Sequence, residues 1–216
     1  GYSVGQWLRE VAPLLAANPA PVIVGGTGLY FAALTEGLAD IPATPQAIRQ
    51  EAMARLDHGE MAHMIAELDP ATRARIDIAN PMRVQRAWEV KRSTGHGLAH
   101  WQDCTPPALL QLSKTTALRL DAPKDWLTPR IEQRFDQMLR DGALEEARAN
   151  LAGWRAEYPS SKAIGAADLI EVASDRMTEQ DARIRVTIAT RQFAKRQRTW
   201  FRARMPQWQR ISAANL

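Results

Sequence analysis

Hydrophobic and polar positions change period several times along this chain, and each change predicts an element. Val22-Ile23-Val24 is wholly apolar, the pattern of a strand covered on both faces. Gly25-Gly26-Thr27-Gly28 follows as a turn that opens a helix at Leu29. With a helix expected before it, the stretch from Ser3 to Gly37 makes one helix, strand, turn and helix unit of an α/β sheet. Ile41–Pro45, "IPATP", breaks the pattern with two prolines. From Gln46 to about Gln102 only helical spacing occurs: Ala47 to His58, Glu60 to Leu68, and a helix announced by Asn80 as N-cap with Pro81 in the first position. Thr115 to Ala122 alternates apolar and polar residues and predicts a return to the sheet. Thr128-Pro129 then starts a long helix whose Ile131, Phe135, Met138 and Leu139 form an inward stripe, and a helix around Ala166 to Ala173 leads to a final basic one.

The expected fold class is α/β, with a parallel-sheet core built from residues 1–41 and 113–216 and an all-helical insertion at 42–112. Two visible strands are too few for a stable open sheet, so the core reads as incomplete within this sequence. Gly1, which is no initiator methionine, gives the same expectation of natural sequence upstream.

Composition narrows the class. At 216 residues and 45% hydrophobic content the chain can bury a sizeable core. No run approaches the roughly 18 apolar residues of a membrane span. The apolar patch from Val11 to Ala17 follows Arg9 and Glu10 and contains Pro13, so it does not read as a signal peptide. A single cysteine, Cys104, excludes an internal disulfide and fits a reducing cytoplasm. His96 and His100 sit among glycines with no carboxylate between them, and read as loop histidines rather than metal ligands.

Charge is the more telling feature. The chain carries net +4, yet Arg183 to Arg204 alone holds eight Lys or Arg and no acid, so the remainder is net acidic. A local basic patch on an acidic body is the footprint of a polyanion-binding site. At 100° per residue, Arg191, Lys195, Arg198 and Arg202 share a sector about 60° wide, with Val186, Ala189, Phe193 and Trp200 opposite as the packing face. No acid at i±4 relieves the row. An ordinary solvated helix face and a membrane-surface helix are the competing readings; the second needs the apolar side free, and Phe193 with Trp200 is more simply core. Neutralising about four phosphates of a single strand predicts a log–log salt slope of about −3.

The glycine turn is ambiguous by itself. Its backbone N–H groups suit an anion, but a phosphate-cradling P-loop needs Lys-Ser/Thr after the last glycine, and here Leu29-Tyr30 follows. A plain strand-to-helix turn explains it equally.

Taken together and in order, "GGTGLYFAALTEGL", "NPMRVQRAWEV", "SSKAIGAADLI" and "ATRQFAKRQRTWFR" resemble the bacterial tRNA dimethylallyltransferase family from Tyr2 to about Arg202. The last block is the most specific. The resemblance implies a P-loop-like, nucleotide-binding type of core with a helical insertion, acting on dimethylallyl diphosphate and a tRNA anticodon stem-loop with Mg²⁺, as a cytoplasmic monomer. The family's P-loop and Asp-Ser-x-Gln motif, which carry the diphosphate-holding Lys and the general-base Asp, do not occur in these 216 residues.

By the same resemblance Thr27 contacts the target nucleotide and is the one catalytic-site residue, while its hydroxyl is also placed to N-cap the following helix. Arg49 matches a tRNA-touching position, against the alternative of an exposed helix arginine paired with an acid. Met82, Arg83, Val84, Gln85 and Arg86 match a tRNA-contacting segment, in which Arg86 could instead pair with Glu89. Lys162, Ala163, Ile164, Gly165, Ala166 and Ala167 match another, with the departure that Ala166 and Ala167 offer only backbone. Lys195, Arg196, Gln197, Arg198, Thr199, Trp200, Phe201 and Arg202 match the last, and coincide with the charge row found without the family. The metal ligands are not assigned. Two rival functions stand beside the transferase: a non-catalytic RNA-binding module, and a transferase that prenylates free adenine nucleotide.

Overall fold

Helices account for most of the chain, with one two-stranded parallel sheet, in the computed structural model, which describes residues 2–215. The chain divides into two units, Gly1–Thr115 and Thr116–Leu216.

In the first unit, helix α1 (Val4–Val11) begins where the Ser3 hydroxyl accepts the Gln6 N–H at 3.1 Å. It packs on α2 (Gly28–Glu36), and Trp7 stacks on Tyr30 with ring centroids 4.7 Å apart. The strand expected at Val22–Val24 does not form. Strands need a hydrogen-bonded neighbour, and among the described residues none lies beside this segment. It is unpaired, with Val22 and Val24 89% and 87% exposed.

The helical stretch follows the expected punctuation: α3 (Gln46–Asp57), α4 (Met61–Glu67), α5 (Pro70–Arg75), α6 (Pro81–Thr94) and α7 (Leu98–Asp103). Asn80 caps α6, its Oδ1 accepting the N–H groups of Met82 and Arg83 at 3.1 and 3.3 Å, and Gly95 closes the helix in the left-handed conformation. Ala52, Met64, Leu68, Val84, Ala87 and Trp88 form the core among α3, α4 and α6. At its rim Arg55 grips Glu67 through two N–H donors, at 2.8 and 3.2 Å, and lies 5.1 Å from the Trp88 ring centre. The Arg55 guanidinium, and after it the Trp88 indole N–H, hold the Glu67 carboxyl below the usual carboxylate range. Asp69 caps α5 by accepting the Thr72 N–H at 2.8 Å, and the backbone passes so close that a Cβ on Gly97 would lie 1.8 Å from Asp69 Oδ2.

The second unit opens with β1 (Leu118–Asp121), inside the alternating segment. It runs through α8 (Lys124–Arg140), α9 (Ala143–Asn150), α10 (Ala166–Ala173) and α11 (Glu179–Arg204) to β2 (Gln209–Ser212). The strands pair in parallel, Leu118 opposite Gln209 and Leu120 opposite Ile211. Phe135, Ala147, Leu169, Ile170 and Val186 make the core.

Three details depart from expectation. α8 starts at Lys124, not at Thr128, and Pro129 lies inside it. The Thr128 hydroxyl donates to the Lys124 carbonyl at 2.9 Å and Arg130 to the Trp126 carbonyl at 3.0 Å, on either side of the Asp125 carbonyl that the proline leaves without its helical donor. Met138 is 40% exposed and leaves the inward stripe to Ile131, Phe135 and Leu139. Phe193 is 43% exposed rather than core. Its ring lies 5.7 Å from the Arg196 guanidinium, and the packing face of α11 is carried by Ala182 and Val186 in its first half.

Candidate nucleic-acid interface

Among the described residues, helix α11 supplies the largest set of cations without an acid partner. Thr178 caps its start, the hydroxyl accepting the Asp181 N–H at 3.0 Å, and the helix then runs for 26 residues. Its first basic residues are consumed internally: Arg183 pairs with Asp136 and Glu179, and Arg185 meets Asp168 at 3.1 Å. Beyond them Arg191, Lys195 and Arg202 have no ion pair or hydrogen bond among the described residues. These three fall on one face at helical spacing.

Arg198 belongs to the same row but is half-buried, donating to the Ala122 carbonyl at 2.8 Å. Arg119 reaches from β1 to the Phe201 carbonyl at 3.3 Å. Two guanidinium bonds therefore fasten the C-terminal half of α11 to the β1 region and fix the direction in which its free cations point. Trp200 and Phe201 meet edge to face at 5.3 Å and are partly buried, which places them as support. Arg196, Thr199 and Arg202 are exposed, and Gln197 is partly buried.

The Lys162–Ala167 segment approaches α11 at a different level. Gly165 has φ +92°, and a Cβ there would meet Val186 Cγ2 at 3.2 Å, so only glycine lets the chain turn into α10 so close to α11. Lys162, Ala163, Ile164 and Ala167 are exposed around that turn, with Ala166 partly buried. Val186 precedes Lys195 by nine residues, about 14 Å along the axis, so the two predicted segments of this unit occupy separate levels of α11.

In the first unit Thr27 is exposed at the N-terminus of α2. Its hydroxyl makes no capping bond, so the expected N-cap role is not seen. The glycine turn also needs no left-handed residue. Arg49 on α3 and Arg83 on α6 are exposed without an acid partner among the described residues. Met82 is 68% exposed, whereas Val84 is core.

Arg86 is held. Its Nη1 donates to the Thr44 hydroxyl at 2.8 Å and lies 3.9 Å from the Glu89 carboxylate, which in turn accepts the Gln85 amide at 2.8 Å. Thr44, Gln85 and Glu89 are all buried. Gln85 is thus turned inward, and Thr44, 42 residues before Arg86, is a contributor no local signal in the sequence marks.

Among the described residues no three of His, Cys, Asp and Glu converge as metal ligands. His96 and His100 stack on each other at 4.5 Å instead of converging on one point.

Three cations on one helix face without an acid partner among the described residues, with further such arginines on α3 and α6, are the arrangement that attracts a polyanion. Comparison with known proteins gives the family. The IPP transferase family model matches residues 1–204. A tRNA dimethylallyltransferase of Ruegeria is 56% identical over 211 residues, covering 98% of this chain and 72% of the relative. Another, of Dinoroseobacter shibae, is 57% identical over 210 residues, 96% of this chain and 70% of its own length. Among solved structures, the tRNA isopentenylpyrophosphate transferase of Bacillus halodurans superposes with a TM-score of 0.58 at 28% identity, covering 98% of this chain and 67% of that one. The chain belongs to the IPP transferase family.

Proposed function

We propose that this chain is the RNA-gripping body of a tRNA dimethylallyltransferase, which transfers a dimethylallyl group from dimethylallyl diphosphate to N6 of adenine 37 beside the anticodon. The observation that carries this reading is the acid-free face of Arg191, Lys195 and Arg202 on a helix whose Arg183, Arg185 and Arg198 are already paired or tied. Family membership names the reaction.

In that reaction the N6 lone pair forms a bond to the allylic C1, the C1–O bond breaks, diphosphate leaves, and the N6 proton goes to a base. The nucleophile is weak because its lone pair is delocalised into the ring, so most of the work is positioning. Adenine must leave the loop's stack, which costs a few kcal/mol that phosphate contacts offset. Arg191, Lys195, Arg198 and Arg202, with Lys162, Arg49, Arg83 and Arg86, supply those contacts. Thr27, exposed with an unspent hydroxyl at the glycine turn, meets the target nucleotide.

Residues 1–41 and 113–216 belong to a P-loop-like core in this reading, and 42–112 to the inserted helical domain. Diphosphate grip and proton removal rest on family motifs that these 216 residues do not contain, so the isolated chain turns nothing over. In this reading it binds an anticodon stem-loop as a monomer of the cytoplasm.

The test is a labelled anticodon stem-loop titrated with the chain and challenged with unlabelled tRNA or AMP. Displacement by tRNA alone supports the reading. Displacement by AMP at comparable concentration favours a free-nucleotide transferase, and absence of stem-loop binding overturns it. Prenyl transfer by the isolated chain refutes the division of labour.

A further inference from the structure

Arg86 differs from every other basic residue assigned to RNA in the first unit. Arg49 and Arg83 are exposed and unrestrained. Arg86 is fixed from two sides before any ligand arrives: by the Thr44 hydroxyl, which accepts one N–H at 2.8 Å, and by the Glu89 carboxylate 3.9 Å from the same nitrogen. Both partners are themselves buried, Thr44 and Glu89 being only 6% exposed, with Glu89 held by the Gln85 amide at 2.8 Å. The Arg86 side chain keeps 43% of its surface open.

A guanidinium has five N–H donors. Nη1 is engaged, and no hydrogen bond within the described residues takes those on Nη2 and Nε. Two parallel donors on one edge of a held plane fit two oxygens of a phosphate. A buried threonine hydroxyl could find an acceptor in the backbone close by; here it accepts from a guanidinium contributed by α6, 42 residues away.

We infer that Thr44, backed by Glu89, is a positioning residue for RNA binding: it presets the Arg86 guanidinium for a bidentate contact with one phosphate, removing rotamer freedom that would otherwise be lost on binding. The inference rests on the reading of Arg86 as an RNA contact. Thr44 itself touches no RNA and lies in the Ile41–Pro45 connection, outside every segment the sequence motifs single out.

The experiment is a double-mutant cycle on the full 216-residue chain, read as affinity for an anticodon stem-loop RNA by fluorescence anisotropy. Thr44→Val keeps the shape and removes the acceptor; its expected effect is an affinity loss of about 3- to 10-fold, the size of one held hydrogen bond. Thr44→Ser keeps the hydroxyl and restores affinity. On an Arg86→Ala background, Thr44→Val costs nothing further, and the log–log salt slope drops by about 0.7 with Arg86→Ala. A purely structural threonine would weaken binding equally in both backgrounds, and that result overturns the inference. So does an Arg86→Ala loss unaccompanied by any Thr44→Val loss, which leaves Arg86 as an RNA contact and removes only the presetting. If Arg86→Ala binds as tightly as the parent, Arg86 is no RNA contact, and the presetting falls with it. Urea melts of each variant identify a folding defect; Arg86→Gln, which keeps bulk and a donor, then repeats the cycle.

Discussion

Replacing Arg191, Lys195 and Arg202 together by glutamine is the sharpest perturbation of the α11 face, because none of the three has an acid to release. Each phosphate contact on a single strand contributes about 0.7 to the log–log salt slope, so losing three takes about 2 from it. Extrapolated from a 1 M reference to about 0.15 M salt, a slope change of that size is roughly 50-fold in Kd. Folding stability holds or rises, since like charges at helical spacing repel and no ion pair is broken. The assay is anisotropy of a labelled anticodon stem-loop at four or more salt concentrations, with the melting temperature followed beside it. An unchanged slope with weakened binding would mean that the three residues act through something other than phosphate neutralisation. An unchanged slope and unchanged affinity would remove α11 from the interface.

Gly165→Ala forces a left-handed alanine against Val186 and is expected to cost about 1–2 kcal/mol, read as a lower urea midpoint. Gly97→Ala drives a methyl onto the Asp69 carboxylate and should cost about 1–3 kcal/mol, with the helical signal of the α5–α7 region lost first in hydrogen exchange. Glu67 is held in its charged form by Arg55, so its contribution is complete above the unfolded value of about 4.3 and disappears as pH falls through the lower folded value. With half of that side chain exposed the effect stays below about 1 kcal/mol, and Glu67→Gln should flatten the acid limb of the stability curve by that amount.

What the sequence disclosed was the local part of this structure. Asn80-Pro81 starts a helix because the cap and the fixed φ act within one turn, and α3, α4 and α10 followed from spacing alone. The α11 charge row was equally legible, being a matter of angle along one helix. Apart from the start of α8 and the unmade Thr27 cap, the misreadings were relational. Val22–Val24 has the composition of a strand but no neighbour among the described residues to bond with, and β2 has a neighbour but a composition, "QRIS", that announces nothing. Phe193 sits on the packing side of its helix by angle, yet it is 43% exposed, and that exposure could not be read from period. Arg86 and Thr44 show the same limit at the site: the arginine was found by motif, and the residue that holds it required three dimensions.

The parallel pairing of β1 with β2 has a consequence in time. Leu118 cannot meet Gln209 until the roughly 90 residues between them have been synthesised and have folded into four helices, so the sheet is the slowest contact of its unit to close. During translation β1 waits with Leu118 and Leu120 unpaired while the α8–α10 core assembles, which makes that strand the point at which a stalled or shortened chain would aggregate.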